Sequence, residues 1–197
     1  MARASRKEAE QHRKDIVEAA SRLFRQKGLG GVSVPELMAA AGMTHGGFYG
    51  HFASKDALAA EAFGAAFRQM AAWTAQVTGE GGAAGRAAFI ERYLSPEHRD
   101  HPEAGCAAAG LLDFPRDTDN EAVRAAYVAG VQAMLSDVAR MNGDDAEARQ
   151  TALARLATLV GSLMLARATK GTPLSDAFLD AGKASLLADA PKGPHSV

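Results

Sequence analysis

The sequence predicts an all-α fold of about nine helices, an N-terminal three-helix unit followed by a longer helical bundle. Three observations predict it. Ala, Leu, Arg, Glu and Met, which lose little on entering a helix, are abundant. No segment alternates apolar and polar residues with the period of a strand. Apolar stripes at helical spacing end at Gly or Pro and restart at Ser or Thr, the residues that stop and cap helices. The chain has no internal repeat.

The first helix spans about Ser5 to Lys27, where Ile16, Val17, Ala20, Leu23 and Phe24 fall on one face and Gly28 supplies a left-handed terminator. Ser33-Val34-Pro35-Glu36 is a capping box with proline in the first turn, opening a short second helix that Gly42 breaks after Ala41. Thr44 is the N-cap of a third helix and Ser54 that of a fourth beginning at Lys55. The fourth carries an apolar stripe from Leu58 through Phe63, Phe67, Met70 and Trp73 to Val77, and Thr78-Gly79-Glu80-Gly81-Gly82 ends it.

A helix over about Ala83–Leu94 leads into Ser95–Pro102, read as a polar loop fenced by two prolines. Cys106–Asp113 reads as a short helix closed before Pro115, and Thr118-Asp119-Asn120-Glu121 as a second capping box. The long helix it opens carries Val123, Tyr127, Val131, Met134, Val138 and Met141 on one face and stops at Asn142-Gly143. Leu153–Ala168 is apolar nearly all round, so more than one neighbour must cover it. Gly171 and Pro173 end it, Ser175 opens a last helix with Phe178, Leu179, Leu186 and Leu187, and a frayed tail follows from Asp189.

With 197 residues, 47% apolar and 23% charged, the composition is that of an ordinary globular protein. The single cysteine, Cys106, excludes an internal disulfide and fits a reducing compartment. The basic N-terminus has no apolar run behind it, so it does not read as a secretory signal, and no stretch of about eighteen apolar residues lacks a charge. A cytoplasmic protein without a membrane span is expected. The net charge of −1 hides an asymmetry. Residues 1–27 hold eight Lys or Arg against four Asp or Glu, a net of +4, and residues 61–197 hold thirteen against seventeen, a net of −4. Charge alone fits either a polyanion partner at the N-terminal end or a solvated charged helix.

A motif decides between them. Residues 33–52 spell a short helix, the turn Ala41-Gly42-Met43 and a second short helix, the layout of a helix-turn-helix reader. Phe48 and Phe52, four apart, should anchor inward, His45 and Tyr49 share a neighbouring face, and Thr44, Gly47 and His51 line a third side. Gly46 and Gly47 each lower helix propensity by about 1 kcal/mol relative to Ala, a cost understandable where backbone must approach a surface such as a DNA major groove.

Residues 8–60 resemble the DNA-binding domain of the TetR family of transcriptional regulators. The resemblance is carried by Val34-Pro35-Glu36-Leu37, Ala41-Gly42-Met43-Thr44, Gly46-Gly47-Phe48-Tyr49 and His51-Phe52-Ala53-Ser54-Lys55-Asp56, which agree with the family's motif in order and spacing, Pro35 being a departure. It implies phosphate contacts from Thr44, Tyr49, His51 and Lys55, with Ser33 and the start of the second helix holding the register. His45 and Gly46 would face base edges, His45 being the candidate for direct readout, Gly47 would line the same helix, and Arg3, Arg6 and Lys7 would form a flexible basic arm. The domains expected are 1–54 for DNA binding, 55–190 for ligand binding and dimerisation, and a flexible tail at 191–197.

The resemblance further implies a homodimer formed by the C-terminal helices and a small-molecule pocket within them. The all-round apolar helix Leu153–Ala168 independently suits pairing with its twin. Pocket candidates are Phe67, Met70, Trp73, Phe89, Tyr93, Cys106, Tyr127, Met134 and Met164, a Met and aromatic set that would equally serve as core. Cys106 has two readings: an oxidant or electrophile sensor at a helix start near His98, Arg99 and His101, or a small packing residue. His98, His101 and Cys106 give too few donors for a metal site, so no metal or cofactor is expected. No Ser-His-Asp pattern, phosphate loop or paired carboxylate motif supports an enzyme. The expected function is a ligand-responsive repressor binding a palindromic operator as a homodimer, with an oxidant sensor acting through Cys106 as the alternative and a helical protein-interaction module as a further rival.

Overall fold

Nine α-helices and two 3-10 segments succeed one another, without a strand, in the residues that this computed structural model describes: 2–79, 81–114, 118–141 and 146–188. The helices are α1 (Ala2–Lys27), α2 (Val34–Ala40), α3 (Lys55–Thr78), α4 (Gly82–Tyr93), α5 (Pro96–Asp100), α6 (Ala107–Gly110), α7 (Glu121–Arg140), α8 (Ala146–Ala168) and α9 (Pro173–Ala188). The 3-10 segments are His45–Gly50 and Pro102–Ala104. The residues expected to close the Cys106 helix (Pro115) and the long seventh helix (Asn142-Gly143), and the tail at 191–197, lie outside the described residues.

Packing divides the chain into two units, one of Met1–Gln69 with Pro102–Val131 and one of Met70–His101 with Gln132–Val197. In the first unit Ile16, Ala20 and Phe24 of α1 meet Leu37 and Met38 of α2, Phe48, and Leu58 and Phe63 of α3 in a buried apolar core. Aromatic rings extend it: Phe63 lies edge-on to Phe24 and Phe114, and Tyr127 stacks near Phe114 with centroids 5.0 Å apart. The Tyr127 hydroxyl donates to the Ala108 carbonyl at 2.9 Å, which satisfies the one polar atom the ring carries inward. In the second unit α9 packs closely on α8, and a Cβ at Gly182 would come within 2.5 Å of the Ser162 Oγ and 2.9 Å of Leu94. The Ser175 hydroxyl at the start of α9 donates to the Ala166 carbonyl at 2.7 Å, and Arg99 donates to Ser175 and Asp176.

Several expectations are corrected. Helix α1 begins at Ala2 rather than Ser5, so Arg6 and Lys7 lie on a helix and not in a flexible arm. The fenced loop is instead helix α5: the Ser95 hydroxyl accepts from the His98 N–H at 3.1 Å and Pro96 occupies the first turn, where its missing N–H costs nothing. Helix α7 is capped by Asn120, whose Oδ1 accepts from the Ala122 N–H at 3.0 Å, because Glu121 is already helical. Thr118 is drawn elsewhere, donating to Asp56 at 3.0 Å. Residues 148–168 of α8 are long and apolar enough to cross a membrane by length and composition alone. That stretch contains Arg155 and Arg167, and Arg167 donates to the carbonyls of His98 and Arg99.

Three tests follow from this packing. A Cβ at Gly130 would lie 2.1 Å from the Phe67 ring, so Gly130→Ala is expected to destabilise by about 1–3 kcal/mol in urea unfolding. Gly64→Ala meets only the flexible end of Arg68, at 3.2 Å, and is expected to be neutral or to stabilise by up to about 1 kcal/mol. His98 sits between Trp73 and Tyr93, and burial lowers its pKa to about 4. The folded state therefore binds fewer protons than the unfolded state between about pH 4 and 6.5, so stability is full above that window and falls as pH drops through it. His98→Gln should flatten the dependence of the urea midpoint on pH there; an unchanged slope would assign it to other groups.

Candidate nucleic-acid interface

The reader is built from α2 and the His45–Gly50 segment. Helix α2 starts where the sequence places it. The Ser33 N–H donates to the Glu36 carboxylate at 2.8 Å, the Ser33 hydroxyl donates to it at 2.7 Å, and the Glu36 N–H donates back to Ser33 Oγ. These bonds, with Lys27 at 3.3 Å, hold the Glu36 pKa down to about 2. The turn closes on Gly42, whose φ of +73° only glycine adopts readily, and the Met43 N–H returns to the Met38 carbonyl at 2.8 Å.

Residues 45–50 form a 3-10 helix rather than the α-helix expected. Phe48 is fully buried, Phe52 nearly so, and their rings lie 5.9 Å apart beneath the segment. Opposite them, Thr44, His45, Gly46, Gly47 and Tyr49 are all exposed, Tyr49 to 70%. Thr44 has cap geometry, but its hydroxyl makes no cap bond. A Cβ would meet nothing within 4 Å at Gly46 or Gly50, and at Gly47 only the Met38 methyl at 3.6 Å. None of the three has a positive φ. Neither conformation nor internal packing therefore requires these glycines, and their thinness faces outward.

The remaining candidates are partly engaged. Ser33 is exposed, but its N–H and hydroxyl are taken up by Glu36. Lys55 begins α3 half-buried and donates one hydrogen bond to the Leu29 carbonyl at 2.6 Å. His51 is half-buried and edge-on to His12, with centroids 6.3 Å apart.

A residue that the sequence reading passed over fixes this end of the reader. Arg13 donates to the His51 carbonyl, pairs with Glu61 of α3, and holds its guanidinium 4.1 Å from the centre of the Phe52 ring. One side chain of α1 thus grips the last turn of the reader and the helix after it. Its only signal in the sequence is its place three residues before Ile16, a spacing that sets it beside the inward face.

The pocket candidates are divided between the two units. Phe67, Tyr127 and Cys106 belong to the first unit, where Phe67 and Tyr127 rings are 5.7 Å apart. Met70, Trp73, Phe89, Tyr93, Met134 and Met164 belong to the second, where Trp73, Phe89 and Tyr93 form a chain of ring contacts ending on His98. Cys106 is fully buried at the start of the four-residue helix α6. Arg25, itself buried, donates to the Gly105 carbonyl at 3.0 Å, to Gln69 of α3 at 2.7 Å and to the Ser21 carbonyl at 3.1 Å. Burial lowers its pKa to about 10, against the pull of Cys106 and Glu103, so it stays cationic at neutral pH. Burial first, then the charge at Cys106, raises the Tyr127 phenol to about 12.

Residues 16–62 match the profile of the bacterial regulatory proteins of the tetR family. The HTH-type transcriptional regulator AcrR of Shigella flexneri is 43% identical over 61 residues, which are 31% of this chain and 28% of AcrR. A TetR transcriptional regulator from Chloroflexus aurantiacus superimposes with a TM-score of 0.75 at 23% identity, over 92% of this chain and 95% of that one. The reduced form of NemR from E. coli does so with a TM-score of 0.73 at 19% identity, over 89% and 95%. These structures share the fold along nearly the whole chain, and the sequence match falls on the reader. Over its N-terminal domain the chain is similar to the tetR family of bacterial regulatory proteins, and it spans 28% of the length of the AcrR it matches there.

Proposed function

We propose that the protein is a transcriptional repressor that binds a palindromic operator as a homodimer through residues 33–55 and is released by a small molecule. The observation that carries this reading is the reader's outer face: thin, exposed, and free of any internal reason for its glycines. Gly46 and Gly47 let the backbone approach the groove, His45 reads base edges, and Thr44, Tyr49, His51 and Lys55 hold phosphates, with Ser33 at the register point. The basic first 27 residues add a sequence-independent, salt-sensitive attraction.

Dimerisation is assigned to α8 and α9, where Leu153, Leu165 and Leu174 are large apolar side chains left exposed. Release requires an effector that binds one conformer better than another. Helix α3 contributes residues to both units and is the lever we assign. The oxidant- or electrophile-sensing alternative draws support from the likeness to NemR, whose structure is described as a reduced form. Against it stands the complete burial of Cys106, which suits a packing residue.

A DNA fragment selected by the purified protein provides the test. Gly46→Ala should leave the urea midpoint unchanged or raised while weakening DNA binding about tenfold or more, because the added methyl obstructs only an outside surface. Unchanged affinity would remove the reader from this face. Tyr49→Phe and Lys55→Ala should weaken binding to all sequences by roughly 1 kcal/mol or more, whereas His45→Ala should alter preference among sequences. Cys106→Ser should leave effector release intact under reducing conditions; loss of peroxide-triggered release in that variant would establish the alternative.

A further inference from the structure

His51 and Phe52 close the reader, and one short stretch of α1 holds both. The Arg13 guanidinium donates to the His51 carbonyl and lies 4.1 Å from the centre of the Phe52 ring. His12, the residue before it, sets its ring edge-on to the His51 imidazole. Glu61 of α3 accepts from the same guanidinium. A carbonyl and an aromatic face from the end of the reader thus meet, on one planar cation, a carboxylate from the helix that follows. The turn they hold is a single one, in which the His51 and Phe52 N–H groups both donate to the Phe48 carbonyl, at 2.9 and 3.0 Å. The 3-10 segment ends at Gly50, so no further turn of the reader keeps this one closed.

We propose that Arg13 is a positioning residue for DNA binding: through His51 and Phe52 it fixes the last turn of the reader against α1 and α3, and so sets where Tyr49 and His51 meet the DNA backbone. The inference rests on the DNA-binding reading and adds to it a residue that touches no DNA. Phosphate contacts set the register of a protein on a duplex, and they are only as well placed as the turn that bears them. The Arg13 charge is already matched by Glu61, so a phosphate would have to displace a carboxylate to reach it. A cation paired within the protein releases no counterion from DNA, so this one leaves the salt dependence of binding alone. Both partners are half-exposed, and such pairs add little to global stability, so the effect of the grip is local. Lysine cannot take its place. An ammonium could pair with Glu61, but a point charge on a flexible stem does not lie flat on a ring while its donors run to a carbonyl and a carboxylate.

The test compares the full wild-type chain with Arg13→Lys and with the double variant Arg13→Gln/Glu61→Gln, which removes the pair at constant net charge. Each is titrated by fluorescence anisotropy with the duplex that the wild-type protein selects from random DNA, and with a scrambled duplex of the same composition, over a range of salt. Both variants should bind the selected duplex about tenfold or more weakly and the scrambled one within about twofold of wild type, with the salt slope unchanged. Without DNA, hydrogen exchange at the His51 and Phe52 amides should quicken by about tenfold in both variants, while that of Phe63 in α3 and the urea midpoint hold. Equal weakening on both duplexes with a salt slope lower by about 1 would make Arg13 a phosphate contact and overturn the proposal. Full affinity for the selected duplex in either variant, unchanged exchange at His51 and Phe52, or a fall in the urea midpoint large enough to account for the lost binding would overturn it too. A wild-type protein that selects no duplex marks the failure of the DNA-binding reading, which takes the proposal with it. A wild type that binds, beside variants that bind as well, marks the failure of the proposal alone.

Discussion

Burial of Phe48 is the constraint on which the reader depends. A 3-10 segment of six residues with three glycines has too few hydrogen bonds and too little propensity to persist in water. Its shape is imposed from below. Removing the Phe48 ring from water contributes about 1.5–3 kcal/mol, and Phe52 continues the anchor one turn on. Because the anchor lies wholly on one side, the other side is released from any packing duty. The segment can then spend its outward positions on glycine, a polar cap residue and an exposed tyrosine. Arg13 completes the arrangement at the far end, where the 3-10 turns stop and the chain must change direction into α3. A flat ring, a backbone carbonyl and a carboxylate all meet one guanidinium, so the angle between reader and α3 is set by a planar group with fixed donor directions.

A second arginine does comparable work deeper in the same unit. Arg25 is buried among Ser21, Gln69 and Gly105, joining α1, α3 and the turn that precedes α6. Its stem also shapes what surrounds it: a Cβ at Gly110 would come within 3.1 Å of the Arg25 side chain and carbonyl, so α6 sits at glycine distance from α1. A cation held this way tolerates little displacement, since each carbonyl lost would leave a buried charge less well solvated. The turn at Gly105 and Cys106 is thereby tied to the helix that carries the reader's grip.

Local chemistry with a local cause was legible in the sequence. The Ser33–Glu36 box, the Ser54 cap and the left-handed Gly28 and Gly42 all rest on interactions within a few residues, and spacing alone specifies them. Pairing of Phe48 with Phe52 on the inner face was likewise readable, because the Phe52 N–H bonds the Phe48 carbonyl at 3.0 Å, the α-type turn that a spacing of four anticipates. What was not legible needed a partner far along the chain. Arg13 and Arg25 read as ordinary charges on a basic helix, and only contacts 38 to 80 residues away reveal them as structural. Helix α5 is the instructive miss. Ser95-Pro96 shares with Ser33-Val34-Pro35 a serine cap and a first-turn proline, though not the glutamate three residues on, but two prolines six apart suggested a fence, and the first proved to be the helix's opening residue.

Arg25 is matched by carbonyls and an amide oxygen fixed in the same unit, so its charge is committed to architecture. A buried charge solvated in this way stabilises one arrangement, because any other leaves it less well solvated. The first unit is on these grounds suited to hold a geometry. The proposed contact with DNA needs that, since a misplacement of about 1 Å already weakens a groove contact.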